Sequence, residues 1–192
     1  AMVIYLADKK RSYSINYYPR ASEKVKELNF VLEKDRRSVR AITIPSNVAG
    51  LVKALEEFGT LPLARVIAPA IRFAENGFVI DATLGSIILD NAELLQKYSP
   101  TSEIFLKDGF PLMEGDTLYQ KDLARTLRII SEKGRDGFYE GEVAAEMVSD
   151  INKAGGLVTL NDFRNCQAEI EEPVAGNYRG YDIYSAGNPQ SG

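Results

Sequence analysis

Amphipathic helical segments fill the middle of the sequence, and strand-like segments lie at both of its ends. Near the N-terminus, MVIYLA at 2–7 and SYSINYY at 12–18 flank the polar segment DKKR, a pattern that predicts a β-hairpin. Near the C-terminus, NYRGYDIYS at 177–185 predicts a further strand or hairpin arm. This distribution predicts an α+β fold with a helix-rich layer and strands at both ends of the chain.

The first strand segment, MVIYLA, is apolar at successive positions and therefore offers no polar face to solvent. Strands of this kind are typical of sheets that are covered on both sides. We therefore expect the segment at 2–7 to be buried on both faces, which suits a larger protein better than a small one.

Five segments in the middle of the chain carry apolar residues at helical spacing. They run at 46–59, 60–77, 81–98, 118–134 and 140–155. Ser46 and Asp81 stand where they would cap the first and third segments, and Pro69 is expected to kink or divide the second. Thr159 and Asp162 have the spacing of a capping box, which predicts a further helix start.

The segment SEIFLKDGFPLMEGD interrupts the helical pattern and predicts short extended pieces around a turn at 107–109. Taken together, the segments predict a single incomplete domain. Its three regions are a hairpin with a polar connection at 1–43, a helical region at 44–163 and a strand region at 164–192.

Three glycines surround two aromatic residues in EKGRDGFYEGE at 132–142. Their backbone N–H groups could form a nest for an anion. The local pattern favours a simpler interpretation, in which Gly134 ends one helix, Gly141 begins the next, and Phe138 with Tyr139 fixes the turn to the core. The anion-binding alternative stays open at this point.

The sequence contains no histidine and one cysteine, Cys166. This composition excludes Ser-His-Asp and Cys-His arrangements, the HExxH zinc motif and an intrachain disulfide framework. Cys166 has no basic neighbour in sequence that would lower the pKa of its thiol, so a reactive thiol is the less favoured interpretation. Any chemistry must therefore use carboxylates, lysine, arginine, tyrosine, hydroxyls or an amine, unless another polypeptide supplies the missing groups.

The acidic residues do not define a metal site or a pair of catalytic carboxylates. Asp81 and Asp90 lack the glycine and glutamate that an EF-hand loop would place between and after them. Asp116 is expected at a helix start simply from capping preferences. Glu171 and Glu172 adjoin a proline in a segment that should be exposed. We therefore expect no metal and no cofactor in this chain.

The formal net charge of −4 gives no general affinity for nucleic acid or for an anionic membrane surface. The one basic cluster, KDRRSVR at 34–40, is interrupted by Asp35 and is expected to be a solvated loop rather than a phosphate-binding patch. No apolar run approaches the ~20 residues that a membrane-spanning helix needs. Neither nucleic acid nor a membrane is therefore expected as a partner.

Several segments, in a fixed order, resemble the large subunit of γ-glutamyltranspeptidases. They are IPSNVAGLVKALEEFGTLPLARVIAPAIRFAENGFVI at 44–80, GDTLYQKDLARTLRIISEKGRDGFYEGEVA at 115–144, GGLVTLNDF at 155–163 and YRGYDIYS at 178–185. Their shared order and spacing are too specific for coincidence, so the sequence is identified as similar to this family from residue 44 onward.

The resemblance implies a partial αββα sandwich of the N-terminal-nucleophile hydrolase type. In the family, the N-terminal threonine of a small subunit attacks the γ-glutamyl amide, and its own α-amine serves as the base, so no histidine is needed. No segment here resembles the start of that small subunit, which implies no catalytic residue in this chain. The implied partners are the small subunit or the C-terminal remainder of the same protein, and a γ-glutamyl small molecule such as glutathione. The alternative is a related, non-catalytic binding or assembly module.

Arg20 is the one substrate-binding residue that the resemblance implies. In the family, an arginine after the second strand of the N-terminal hairpin, in an R-E-x-A-P context, binds the α-carboxylate of the glutamyl group, a task that suits a bidentate guanidinium. The corresponding segment here is INYYPRASEK, in which Tyr18 aligns directly with that arginine and Arg20 lies two residues further on. Two interpretations stay open: a small shift lets Arg20 bind the carboxylate, or Arg20 is a solvated loop residue.

Overall fold

The computed structural model describes residues 1–27 and 29–189 of the chain. The chain divides into two compact units, one formed by Ala1–Leu63 with Lys133–Gly192 and the other by Ala64–Glu132. Each unit has a hydrophobic core of its own. The predicted single incomplete domain with its three regions stays a prediction, because compact units within one chain can belong to a single domain.

Strands and helices alternate irregularly along the described residues. The strands are β1 (Met2–Leu6), β2 (Arg11–Asn16), β3 (Phe78–Val79), β4 (Leu106–Lys107), β5 (Phe110–Pro111), β6 (Thr117–Leu118), β7 (Glu169–Glu171), β8 (Val174–Tyr178) and β9 (Tyr181–Ser185). The α-helices are α1 (Leu32–Asp35), α2 (Asn47–Phe58), α3 (Leu63–Asn76), α4 (Ala82–Asp90), α5 (Ala92–Gln96), α6 (Ser99–Phe105), α7 (Lys121–Lys133), α8 (Asp136–Tyr139), α9 (Gly141–Lys153) and α10 (Leu160–Arg164). Short 3-10 helices lie at Glu23–Glu27 and Val39–Ala41.

The first unit contains an antiparallel sheet in the order β1-β2-β7, which includes the predicted N-terminal hairpin. Ile15 of β2 is fully buried, and the neighbouring Tyr13 packs on Phe58 of α2 with ring centroids 5.0 Å apart. Val3 and Tyr5 of β1, however, are 40% and 59% exposed. The described residues therefore leave β1 partly exposed, and the prediction that a larger protein covers both faces of this sheet stays a prediction.

The predicted C-terminal hairpin is also present. β8 and β9 pair antiparallel, and the turn between them uses positive φ angles of 52° at Arg179 and 85° at Gly180. Most of the hairpin is exposed, including Tyr178 and Tyr181 at 60% and 76%. The hairpin thus forms from its local turn and cross-strand pairing, with little packing from the described residues.

Helices α8, α9 and α10 pack together around the core of the first unit, whose largest buried side chains are Tyr139 and Phe163. Gly134 follows α7 and Gly141 begins α9, with positive φ angles of 62° and 73° that glycine adopts without steric cost. These observations support the helix-boundary interpretation of EKGRDGFYEGE, with Tyr139 fixing the turn to the core.

Two of the predicted helix caps are confirmed in full. The capping box is present, because the Asp162 N–H donates to the Thr159 hydroxyl at 3.1 Å and the Thr159 N–H donates to the Asp162 carboxylate at 2.7 Å. Asp81 caps α4 by accepting a hydrogen bond from the Leu84 N–H at 2.8 Å. Both caps depend on contacts between residues three positions apart, which explains why local sequence predicts them.

The second unit departs from the sequence predictions at two helices. α3 continues through Pro69, so the proline does not divide the helix, and the alternative that it kinks the helix stays a prediction. The helix predicted at 81–98 is instead divided at Asn91 into α4 and α5. The side-chain amide of Asn91 donates to the carbonyl of Ile87 at 2.8 Å, a local bond that competes with helix continuation.

The segment predicted to be extended is partly helical. α6 occupies its beginning, while β4 and β5 form the expected short hairpin. The turn of this hairpin has φ angles of 53° at Asp108 and 83° at Gly109, as its sequence suggests. The core of this unit is formed by Ile80, Ile88, Leu112 and Leu118.

Candidate functional site

Arg20 lies in the loop that follows β2, at the edge where β2 pairs with β7. Asn16 of β2 is opposite Glu169 of β7, and this register brings the Glu169 carboxylate to 2.7 Å from Nη2 of Arg20. The Arg20 and Glu169 side chains are 60% and 56% exposed. The structure thus places the predicted binding residue on an open surface, paired with an acidic residue that is distant in sequence.

The backbone around Arg20 is fixed, although the side chain is exposed. We call residues 17–23 the Arg20 loop. The Ser46 hydroxyl donates to the carbonyl of Tyr17, so it anchors this loop instead of capping α2 as the sequence predicts. The Ile44 N–H donates to the carbonyl of Arg20 at 2.8 Å. Both anchors come from the segment that immediately precedes α2.

The far end of the Arg20 loop is held by the buried carboxylate of Asp162. Its Oδ2 accepts a hydrogen bond from the Ser22 hydroxyl at 2.9 Å, and its Oδ1 accepts one from the Glu23 N–H at 3.0 Å. Burial raises the pKa of Asp162, but the hydrogen bonds from Glu23, Thr159 and Ser22 stabilise the charged form more, so the pKa lies below its ordinary value. A charged aspartate therefore joins the loop to the start of α10.

A second buried cluster fixes the segment before α2. The Tyr139 hydroxyl donates to the carbonyl of Pro45 at 2.8 Å and accepts a hydrogen bond from the Ala49 N–H at 3.1 Å. Burial raises the pKa of Cys166, outweighing the opposite effects of its hydrogen bond with Tyr139 and of the Arg135 charge. Cys166 is therefore a neutral, buried thiol, in agreement with the prediction that it is not a reactive one.

This arrangement can bind an anion, but it offers no activated nucleophile. Arg20 presents an exposed guanidinium from an anchored backbone, which suits recognition of a carboxylate. Tyr18, the position that the resemblance pairs with the family's arginine, is 48% exposed and donates its N–H to the side-chain oxygen of Asn16 at 3.1 Å. Within residues 1–27 and 29–189, no group of three or more histidine, cysteine, aspartate or glutamate side chains is arranged to hold a metal ion.

In the same described residues, none of the helices combines the length and the apolar character that crossing a membrane requires.

Asp162 and Glu169 belong to this site but are not identified from the sequence. The capping-box pattern marks Asp162 only as a helix cap, because its bond to Ser22 joins residues 140 positions apart. Glu169 and Arg20 are 149 positions apart and meet only through the pairing of β2 with β7. Contacts between segments this distant in sequence leave no local signal.

The model of the family described as gamma-glutamyltranspeptidase matches residues 1–192. The glutathione hydrolase proenzyme of Escherichia coli (strain K12) is 39% identical over 161 residues, which cover 83% of this chain and 28% of the relative. The glutathione hydrolase proenzyme of Bacillus subtilis (strain 168) is 41% identical over 152 residues, which cover 79% and 26%. The chain thus spans between a quarter and a third of the length of these relatives.

Solved structures of the same kind superpose on the chain. The crystal structure of Helicobacter pylori gamma-glutamyltranspeptidase has a TM-score of 0.92 and 34% identity, and the match covers 98% of this chain and 56% of that one. The gamma-glutamyltranspeptidase from Pseudomonas nitroreducens complexed with L-DON has a TM-score of 0.87 and 29% identity, covering 98% and 57%. These neighbours confirm the predicted resemblance and the α+β fold of the N-terminal-nucleophile hydrolase type.

Proposed function

Because the chain belongs to the gamma-glutamyltranspeptidase family, we propose that it forms part of the large subunit of an enzyme that transfers or hydrolyses γ-glutamyl groups. The match of the family model to residues 1–192 carries this proposal. Glutathione is the donor we propose first, since the Escherichia coli and Bacillus subtilis relatives are named glutathione hydrolase proenzymes.

The nucleophile in this proposal is an N-terminal threonine on a small subunit or on the C-terminal remainder of the same protein. Its hydroxyl attacks the γ-glutamyl amide carbon while its α-amine takes the hydroxyl proton and then passes a proton to the leaving amine. Water or an acceptor amine then attacks the glutamyl ester and restores the threonine. The part of the chain that we describe contributes pocket wall and scaffold to this reaction.

Arg20 is the residue proposed to bind the α-carboxylate of the glutamyl group. Its guanidinium carries five N–H donors, and among the described residues its one carboxylate partner is Glu169, bound through Nη2. Donors therefore remain for a substrate carboxylate. The anchored backbone supports this role, because a fixed loop reduces the entropy lost when the ligand binds.

An open face of the first sheet supports the proposal that another segment completes the protein. Val3 and Tyr5 of β1 lie opposite Ser14 and Ser12 of β2, so these four side chains share one face. Val3 and Tyr5 are exposed, whereas the two serine hydroxyls are buried and have no hydrogen-bond partner among the described residues. The described residues thus cover the β2 part of this face, and the exposed Val3 and Tyr5 fit a surface that a further polypeptide segment covers.

A non-catalytic binding or assembly module is the second candidate function. The observation that favours it is the pairing of Arg20 with Glu169, which places an internal carboxylate on the proposed substrate-binding group. The lack of the glutamate that follows the family's arginine points in the same direction.

An assay of γ-glutamyl anilide hydrolysis separates these two functions. We expect the 192-residue chain alone to be inactive and the complete protein, with its threonine-led segment, to release the aniline. Replacing that threonine with alanine should abolish the activity of the complete protein. Activity from the chain alone would contradict the proposed mechanism, and an inactive complete protein with an intact threonine would favour the non-catalytic module.

A further inference from the structure

We infer that Asp162 is a positioning residue that acts through Ser22 to hold Arg20 where a substrate carboxylate binds. This inference rests on the proposed function of Arg20. Asp162 does not approach the open surface itself, because only 7% of the residue is exposed. Its influence on binding would therefore pass through the Arg20 loop.

The Asp162 carboxylate bridges two separate parts of the first unit. On one side, it accepts hydrogen bonds from the Ser22 hydroxyl and the Glu23 N–H, both in the Arg20 loop. On the other side, its Oδ2 accepts from the Thr159 N–H at 2.7 Å and the Thr159 hydroxyl at 2.8 Å. Oδ2 thus accepts a hydrogen bond from one hydroxyl of the loop and from one hydroxyl at the helix start.

The helix side of this bridge is firmly embedded. Phe163, next to Asp162 in α10, is fully buried in the core of the first unit. α10 also packs against α8 and α9. The Asp162 carboxylate therefore holds the Arg20 loop at a fixed position relative to the packed core.

Hydrogen bonds on the loop side restrain the backbone at Arg20, while its side chain stays exposed. The Arg20 carbonyl accepts a hydrogen bond from the Ile44 N–H at 2.8 Å. Two positions after Arg20, Ser22 is only 6% exposed and donates its hydroxyl to Asp162. The Ser22 hydroxyl also accepts from the Lys24 N–H at 3.1 Å, which tightens the turn. Loss of the Ser22 hydroxyl would remove one of the hydrogen bonds that hold this loop, while those at Tyr17, Arg20 and Glu23 remain.

Two substitutions that each remove one hydroxyl compare the loop side of the bridge with the helix side. Ser22→Ala removes the hydroxyl donor from the loop, and Thr159→Ala removes the hydroxyl donor from the helix, both at Oδ2 of Asp162. Each hydroxyl donates one hydrogen bond and accepts another, so each variant loses two hydrogen bonds and should unfold more easily than the wild type. Only Ser22→Ala should loosen the Arg20 loop.

Amide hydrogen exchange on the 192-residue chain measures the loosening directly. We expect Ser22→Ala to speed exchange of the Ile44 N–H by on the order of fivefold relative to amides in α9, since one hydrogen bond is lost. Thr159→Ala should leave the Ile44 N–H within about twofold of the wild type on the same scale. Equal effects of the two variants at Ile44 would overturn the positioning role of Asp162.

Steady-state kinetics of the complete protein test the link to substrate. Ser22→Ala should raise KM for a γ-glutamyl anilide by on the order of fivefold with little change in kcat, whereas Thr159→Ala should change neither by more than about twofold. Arg20→Ala, measured alongside, distinguishes failure of this inference from failure of the proposed role of Arg20. If Arg20→Ala raises KM but Ser22→Ala does not, this inference alone is wrong; if Arg20→Ala leaves KM unchanged, the proposed role of Arg20 fails and the inference fails with it.

Discussion

The carboxylate of Glu169 lies 2.7 Å from the guanidinium of Arg20, so the residue proposed to bind a substrate carboxylate already binds one within the chain. The pairing of β2 with β7 sets this contact, because Asn16 and Glu169 are directly opposite. Both side chains are more than half exposed, which keeps the ion pair weak and replaceable. A substrate carboxylate would therefore compete with Glu169 for the same cation.

Glu169→Gln should tighten binding of the γ-glutamyl donor. The variant removes the competing charge, and exposed ion pairs contribute about 0–1 kcal/mol, so KM should fall by up to about fivefold. Glu172→Gln is the matched control, because Glu172 pairs with Arg11 at the other end of β2. KM measurements on the complete protein check both variants, and a higher KM in Glu169→Gln would show that Glu169 orients Arg20 instead of competing.

Asp162→Asn should destabilise the fold by about 1–3 kcal/mol at neutral pH. The Ser22 hydroxyl and the Thr159 N–H now donate to a carboxylate, and an amide accepts fewer hydrogen bonds and carries no charge. Urea denaturation of the 192-residue chain measures the change. Asp150→Asn serves as the control, since the Asp150 side chain is 80% exposed and its replacement should cost about 0.5 kcal/mol or less. An equal loss from the two substitutions would contradict the buried role of Asp162.

The effect of Asp162 should depend on pH with a defined sign. Its pKa in the folded state lies below the ordinary value, so the unfolded state binds a proton first as the pH falls. The stabilisation is therefore complete above the ordinary aspartate pKa of about 4 and is lost as the pH drops through the folded-state pKa. The stability difference between wild type and Asp162→Asn should be constant near neutrality and shrink in acid. A stability difference that grows in acid would contradict the lowered pKa of Asp162.

Tyr139→Phe should destabilise the first unit by about 1–3 kcal/mol, because the Ala49 N–H loses its bond to the hydroxyl and the Pro45 carbonyl keeps only the weak bond from the Cys166 thiol. Tyr17→Phe is a suitable control, since its hydroxyl donates to Ala1 at an exposed position. Thermal unfolding of the two variants gives the comparison. Equal melting temperatures for the two variants would exclude a structural role for the Tyr139 hydroxyl.

Cys166 should resist thiol reagents in the folded chain. It is 3% exposed and burial raises its pKa, so little thiolate is available at neutral pH. Because Cys166 is the single cysteine, Ellman's reagent reports on it alone. Labelling in buffer should be at least about a hundredfold slower than in denaturant. Comparable rates would mean that the thiol is open to solvent.

Local chemistry explains which parts of the fold could be predicted from the sequence. The Thr159–Asp162 capping box, the Asp81 cap and the turn at Asp108 and Gly109 each depend on residues within three positions of one another. Backbone preferences and short-range hydrogen bonds decide such features. The family resemblance supplied the fold type for the same reason, because its motifs are continuous segments.

Features that depend on distant segments were not predictable. The exposure of Val3 and Tyr5 depends on what covers the sheet, and the Ser46 hydroxyl turns to the loop carbonyl of Tyr17 because the loop packs beside it. Glu169 reaches Arg20 only once β7 has joined the sheet. Non-local pairing leaves no periodicity or spacing in a single sequence.

Arg20 is proposed to bind the substrate carboxylate for a nucleophile held elsewhere in the protein. The most direct test is KM for a γ-glutamyl anilide in the complete protein with Arg20→Ala, compared with Arg11→Ala, which removes a similarly exposed arginine from the same sheet. Loss of hydrogen bonds to a charged group predicts a KM increase of roughly 10- to 100-fold for Arg20→Ala and none for Arg11→Ala. An unchanged KM in an active Arg20→Ala protein would contradict the claim.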